Sequence, residues 1–75
     1  MDTKLCEYIV TIAETGSVAQ ASERLYITQS ALNQQLLKLE NELGTALFIR
    51  VRNHWTLTPA GEIYVENARR IISLK

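Results

Sequence analysis

The sequence predicts a mainly α domain of four helices, with a two-stranded antiparallel hairpin set between the third and the fourth. Three observations carry that prediction. Apolar residues recur at helical spacing in four separate stretches, and Gly16, Thr28, Gly44 and the pair Thr58-Pro59 stand where helices should stop or start. Between residues 47 and 57 the pattern changes to two short apolar segments around a polar tip. At 75 residues there is room for one modest core and none for a separate catalytic or ligand-binding domain.

Over residues 3–14, Leu5, Tyr8, Ile9 and Ile12 mark one apolar face of a first helix, which Gly16 closes by taking a left-handed conformation. Ser17, with Gln20 three residues on, forms a capping-box pattern for a short second helix. Val18, Ala21, Ser22 and Leu25 are its inner side, and Ala21 is small enough for two steeply crossing backbones. Tyr26 and Ile27 make a tight turn, and Thr28 is a good N-cap for the third helix. Along it Leu32, Leu36, Leu39 and Leu43 form a leucine stripe expected to be buried against the first two helices, ending at Gly44. Leu47, Phe48 and Ile49, then Trp55, Thr56 and Leu57, read as two strands joined through Arg52, Asn53 and His54. Thr58 followed by Pro59 starts the last helix, since proline at the first helical position forfeits no hydrogen bond. Its apolar stripe is Tyr64, Val65, Ala68, Ile71 and Ile72.

Composition narrows the function. Hydrophobic residues make up 47% of the chain, and no apolar run approaches the roughly 20 residues of a membrane span. The N-terminus lacks the pattern of a secretory signal. The expectation is a soluble, cytoplasmic protein that does not engage a membrane. One histidine, His54, and one cysteine, Cys6, cannot supply the three or four ligands of a zinc site, and Cys6 on an apolar helix reads as a small packing residue. No phosphate loop, nucleophile elbow or paired-carboxylate site is present, so the chain does not read as an enzyme, and no cofactor is expected in it. Net charge is zero, so the overall charge balance does not by itself point to a polyanionic partner. Lys38, Arg50, Arg52 and His54 nevertheless cluster on the stretch expected to face a polyanion, while Asp2, Glu7 and Glu14 lie on the first helix.

Residues 21–61 carry a specific combination of marks. Around ITQSALNQQLLKLENELG, beginning at Ile27, stand Ala21, Leu25, Leu47, Phe48, Arg50, Leu57, Thr58, Ala60 and Gly61. Together they closely resemble the N-terminal winged helix-turn-helix domain of LysR-type transcriptional regulators. The resemblance implies a three-helix core with a two-stranded wing over residues 1–58, and a linker and dimerisation helix over residues 59–75. It further implies bacterial regulators that bind an interrupted palindrome of double-stranded operator DNA as homodimers, which often pair into tetramers and can contact RNA polymerase. A longer effector domain that binds a small molecule follows in such proteins; the helical pattern is unfinished at Lys75, and that domain is expected to be missing from this chain.

Within this frame Gln29 is the leading base reader, because its amide can bond bidentately to adenine in the major groove. Thr28, Ser30 and Asn33 are cast as phosphate or water-bridged contacts. Asn33, Gln34 and Leu37 stand where the family often has serine, a basic residue and a charge, and with Lys38 they complete the expected reading face. Amide contacts to adenine and a Leu37 contact to thymine methyl groups predict an A·T-biased half-site. On the wing, Arg52 is the candidate for minor-groove insertion, with Asn53 and His54 beside it. For Arg50 two readings stand level: a DNA contact, or a brace that holds the wing to the domain. The stripe from Tyr64 to Ile72 is expected to pack partly on its own domain and partly on a second copy. A rival reading from another class is a winged-helix module whose uncharged third helix meets a partner protein.

Overall fold

The computed structural model describes residues 3–52 and 54–74. Four helices and one hairpin follow in chain order: α1 (Thr3–Thr15), α2 (Val18–Leu25), α3 (Gln29–Leu43), β1 (Phe48–Val51), β2 (His54–Leu57) and α4 (Pro59–Ser73). The strands pair antiparallel, Phe48 opposite Leu57 and Val51 opposite His54.

Helix boundaries follow local chemistry. Ser17, Thr28 and Thr58 sit in extended conformation, and their hydroxyls accept from the amides of Gln20, Ala31 and Gly61, each satisfying a donor that the first turn leaves open. Only half of the capping box at Ser17 forms, because the Ser17 amide donates to Thr15 Oγ1 (3.4 Å) and not to Gln20. Tyr26 closes α2 at φ 59°, a left-handed position where glycine is usual, and its side chain is 94% exposed.

Ile9 and Ile12 of α1, Ala21 of α2, Leu32, Leu36 and Leu39 of α3, Leu47 and Phe48 at the wing root, and Val65 and Ala68 of α4 form one buried cluster. The leucine stripe of α3 is therefore a core face for three of its four members. Leu43, expected to be buried, is 48% exposed, because it lines a groove with Leu47, Ala60, Ile63 and Tyr64 that stays open among the described residues. Helix α4 packs on α1 through Val65 and Ala68, so it completes the core that the first three helices begin. Gly61 makes this possible. A Cβ there would run into the Leu47 carbonyl oxygen, and the Thr58 amide donates to that same carbonyl (3.0 Å). The start of α4 and the root of β1 thus lie backbone to backbone.

Candidate nucleic-acid interface

Helix α3 has two faces. Leu32, Leu36 and Leu39 point inward, while Gln29, Ser30, Gln34, Leu37 and Lys38 are exposed and Asn33 is half-buried on the other side. The spacing 29, 33, 37 with 30, 34, 38 places six of the seven expected contact residues on one outward stripe. Thr28 caps its start, its hydroxyl accepting from the Ala31 amide at 3.0 Å. That bond uses the hydroxyl's acceptor side and leaves its proton free to donate to a phosphate oxygen.

The stripe leads into the wing across a concavity of about 310 Å³ lined by Val18, Gln29, Ser30, Asn33 and Trp55. A second concavity of about 230 Å³, lined by Gly16, Ser17, Val18, Ala19, Arg52 and Trp55, adjoins it. Val18 and Trp55 belong to both, so the first turn of α2, the first turns of α3 and the wing form one continuous surface. Val18 and Trp55 read in the sequence as packing residues, and they are half-buried; their place under this surface depends on the wing folding back over α2, which no local pattern announces.

Beyond the contact of its root at Leu47 with the start of α4, the wing is fixed at two points. The Trp55 amide donates to the Gly16 carbonyl (3.0 Å), and the His54 ring lies over Gly16 so closely that a Cβ there would sit 2.6 Å from it. On the other side Glu40 of α3 accepts from the Leu47 amide through Oε2 (2.7 Å) and from Arg50 Nη2 through Oε1 (2.7 Å). The Arg50 guanidinium also lies 5.0 Å from the centre of the Trp55 ring, which tilts against Phe48 at 5.8 Å. Arg50 thus contacts both Glu40 and Trp55 within the domain, while its side chain stays 40% exposed. Glu40, an acid close to the reading face, is neutralised by the same contact.

Charge on the surface is correspondingly lean. Arg24 and Arg69 approach Glu14 (3.2 and 3.8 Å), and Arg70 pairs with Glu66 (3.0 Å). Among the described residues, Lys38 and Arg52 are the expected DNA-facing basic side chains that enter no ion pair, and the exposed His54 lies in the hairpin that carries Arg52. Asn53 lies outside the described residues.

The expected dimer stripe on α4 divides. Val65 and Ala68 are 5% and 1% exposed beneath α1 of the same chain, so they are unavailable to a partner. Tyr64, Ile71 and Ile72 are half-buried against the core. The outward apolar residues are instead Ile63 (64% exposed), in the second turn of the helix, and Leu74 at its C-cap. Helical periodicity finds an apolar stripe but does not say which body covers it. Cys6 is buried within the core, and among the described residues no group of histidine, cysteine and carboxylate side chains could hold a metal ion. No helix among them is long and apolar enough to cross a membrane.

A family model described as "Bacterial regulatory helix-turn-helix protein, lysR family" matches residues 3–62. The chain is 47% identical over 72 residues to an uncharacterized HTH-type transcriptional regulator, YcgK, of Bacillus subtilis (strain 168), covering 96% of this chain and 22% of that protein. It is 42% identical over 73 residues to the HTH-type transcriptional regulator HdfR of Yersinia pestis (strain Pestoides F), covering 97% and 25%. It thus spans about a quarter of these relatives' length. Among solved structures, the CbnR DNA-binding domain in complex with DNA superposes with a TM-score of 0.90 at 36% identity, over 99% of this chain and 85% of that one. The BenM DNA-binding domain bound to its benA site 1 DNA gives 0.90 at 32% identity, over 97% and 82%. The matched family model, these relatives and the four-helix core with its braced wing establish that the chain belongs to the LysR family of bacterial regulatory helix-turn-helix proteins and is its winged-helix DNA-binding domain.

Proposed function

We propose that this domain reads operator DNA as a homodimer and thereby regulates transcription. The observation that carries the proposal is the outward stripe of α3, where Gln29, Ser30 and Asn33 meet Val18 and Trp55 in one surface, with Arg52 on the same surface. A helix presented this way enters the major groove with its first turns against base edges, while the wing reaches the adjoining backbone or minor groove. Gln29 reads adenine; Thr28, Ser30 and Asn33 hold phosphates; Gln34, Leu37 and Lys38 continue along the groove. The same chemistry gives an A·T-biased half-site. The DNA complexes of CbnR and BenM domains of the same fold support this reading.

Two such units engage successive grooves when a dimer holds them about 34 Å apart or at a multiple of that spacing. We assign contact with a second copy to Ile63 of α4 and Leu74 at its C-cap, with the partly open Tyr64, Ile71 and Ile72; their exposure supports this. Control by a small-molecule effector bound to a further domain, assembly into tetramers, and contact with RNA polymerase belong to the same proposal; the much greater length of the relatives supports a further domain.

Selection of duplexes from a random-sequence pool by the wild-type chain and by Gln29→Ala tests the reading. Wild type should return an A·T-biased motif that the variant loses. A G·C-rich motif, or one indifferent to Gln29, would overturn the assignment of base contacts. Exposed Leu37 favours the protein-interaction reading in one respect; failure to enrich any duplex would move the function to that class.

A further inference from the structure

We propose that Glu40 is a positioning residue for DNA recognition: it locks the wing to the reading helix so that Arg52 meets the DNA at a fixed place relative to Gln29. The inference rests on the operator-reading function above. Glu40 lies on α3, eleven residues beyond Gln29 and past the outward stripe. One carboxylate oxygen accepts from the Leu47 amide at the wing root, and the other from Arg50 in the middle of β1, both at 2.7 Å. Its side chain is only 11% exposed, whereas that of Arg50 is 40% exposed, so the acid sits in the hinge between helix and hairpin.

Arg50 passes the constraint on. Its guanidinium lies 5.0 Å from the centre of the Trp55 ring, and Trp55 is the cross-strand partner of Arg50. Trp55 also lines both concavities of the reading surface and is tied through its amide to Gly16. A chain of contacts therefore runs from α3 through Glu40, Arg50 and Trp55 to the strand that carries the wing tip. Two-stranded hairpins are marginal by themselves, and their orientation depends on such anchors. Without the carboxylate, Arg50 loses its fixed partner, and the wing keeps its fold at the Gly16 side while its angle to α3 is released. Glu40 touches no DNA in this account; it acts through Arg50.

A double-mutant cycle tests the coupling on the 75-residue chain, using the duplex that the wild type selects most strongly from a random pool. Glu40→Gln keeps an acceptor for the Leu47 amide and removes the charge that Arg50 needs. Arg50→Met removes the cation and leaves the Leu47 bond intact, so it serves as a second route should Glu40→Gln fail to fold. In the wild-type background Arg52→Ala and Gln29→Ala should each weaken binding about tenfold. In either brace variant the Arg52→Ala effect should shrink to less than about threefold while the Gln29→Ala effect stays about tenfold. Thermal melting and circular dichroism should show each brace variant folded. An Arg52→Ala effect undiminished in folded brace variants would overturn the positioning role, as would equal loss of the Gln29 effect. A wild-type chain that selects no duplex would instead overturn the DNA-reading function itself.

Discussion

The first turns of α3 and the wing contribute to the same surface, amides and a hydroxyl from one and Arg52 and Trp55 from the other, yet hold them by different means. On α3, Gln29 and Ser30 are exposed on a helix whose inner face is locked by Leu32, Leu36 and Leu39. Their positions follow from one rigid element, and each can be exchanged without disturbing the core. The wing has no such face. Its place is set by contacts to three other elements: Glu40 on α3, Gly16 between α1 and α2, and the Leu47 carbonyl against Gly61 on α4. Substitutions on the helix should therefore change recognition with little effect on stability, whereas substitutions at the wing's anchors should change both.

The largest effect is expected where α4 completes the core. Ala68→Asp places a carboxylate under α1 with no partner and should lower stability by about 3–5 kcal/mol, a large share of what a domain this size has. Ile63→Asp on the opposite side of the helix should leave the melt within about 0.5 kcal/mol of wild type and weaken self-association. Sedimentation and thermal denaturation of the two variants separate the core face of α4 from its partner face. A dimer unaffected by Ile63→Asp together with Leu74→Asp would contradict the second assignment.

Next comes the wing root. Gly61→Ala drives a methyl group into the Leu47 carbonyl and should destabilise the domain by about 1–3 kcal/mol as α4 and β1 move apart, measurable in urea. Loss of the α3 cap in Thr28→Ala should cost about 1 kcal/mol. Gln29→Ala should change stability by less than about 0.5 kcal/mol, yet remove about tenfold of the preference for the selected duplex. If its melting point fell as far as that of Gly61→Ala, the contrast between a freestanding reading face and an anchored wing would fail.

The two regions also differ in how far their sequence can be read. Caps at Ser17, Thr28 and Thr58 are legible because donor and acceptor lie three residues apart, within one turn. The outward stripe of α3 is legible because a 3.6-residue repeat fixes which side chains share a face. Arg50 reads two ways in the sequence for the converse reason: its partner Glu40 is ten residues away across a helix end and a loop, and nothing in the spacing says that the two meet. Leu43 and the α4 stripe show the same limit. Periodicity groups Leu43 with the buried leucines and sets Val65 in a stripe shared between its own domain and a second copy, but it does not say which neighbours cover each residue. Ion pairing thins further the positive charge that a net charge of zero already limits. Four arginines lie in ion pairs within the chain, which leaves Lys38 and Arg52 as the expected DNA-facing cations outside ion pairs among the described residues.

That small number makes the salt dependence of binding a direct test of the central claim that the α3 stripe and the braced wing read DNA. Each neutralised phosphate contributes about −0.9 to the slope of log affinity against log salt. Fluorescence anisotropy of wild type and Gln29→Ala, titrated against the selected duplex and a scrambled one over a salt series, should give a slope of about −2 per bound protomer, or about −4 for the dimer. Gln29→Ala should keep that slope and lose the preference between duplexes. A flat salt dependence, or a wild type that binds both duplexes equally well, would contradict the account.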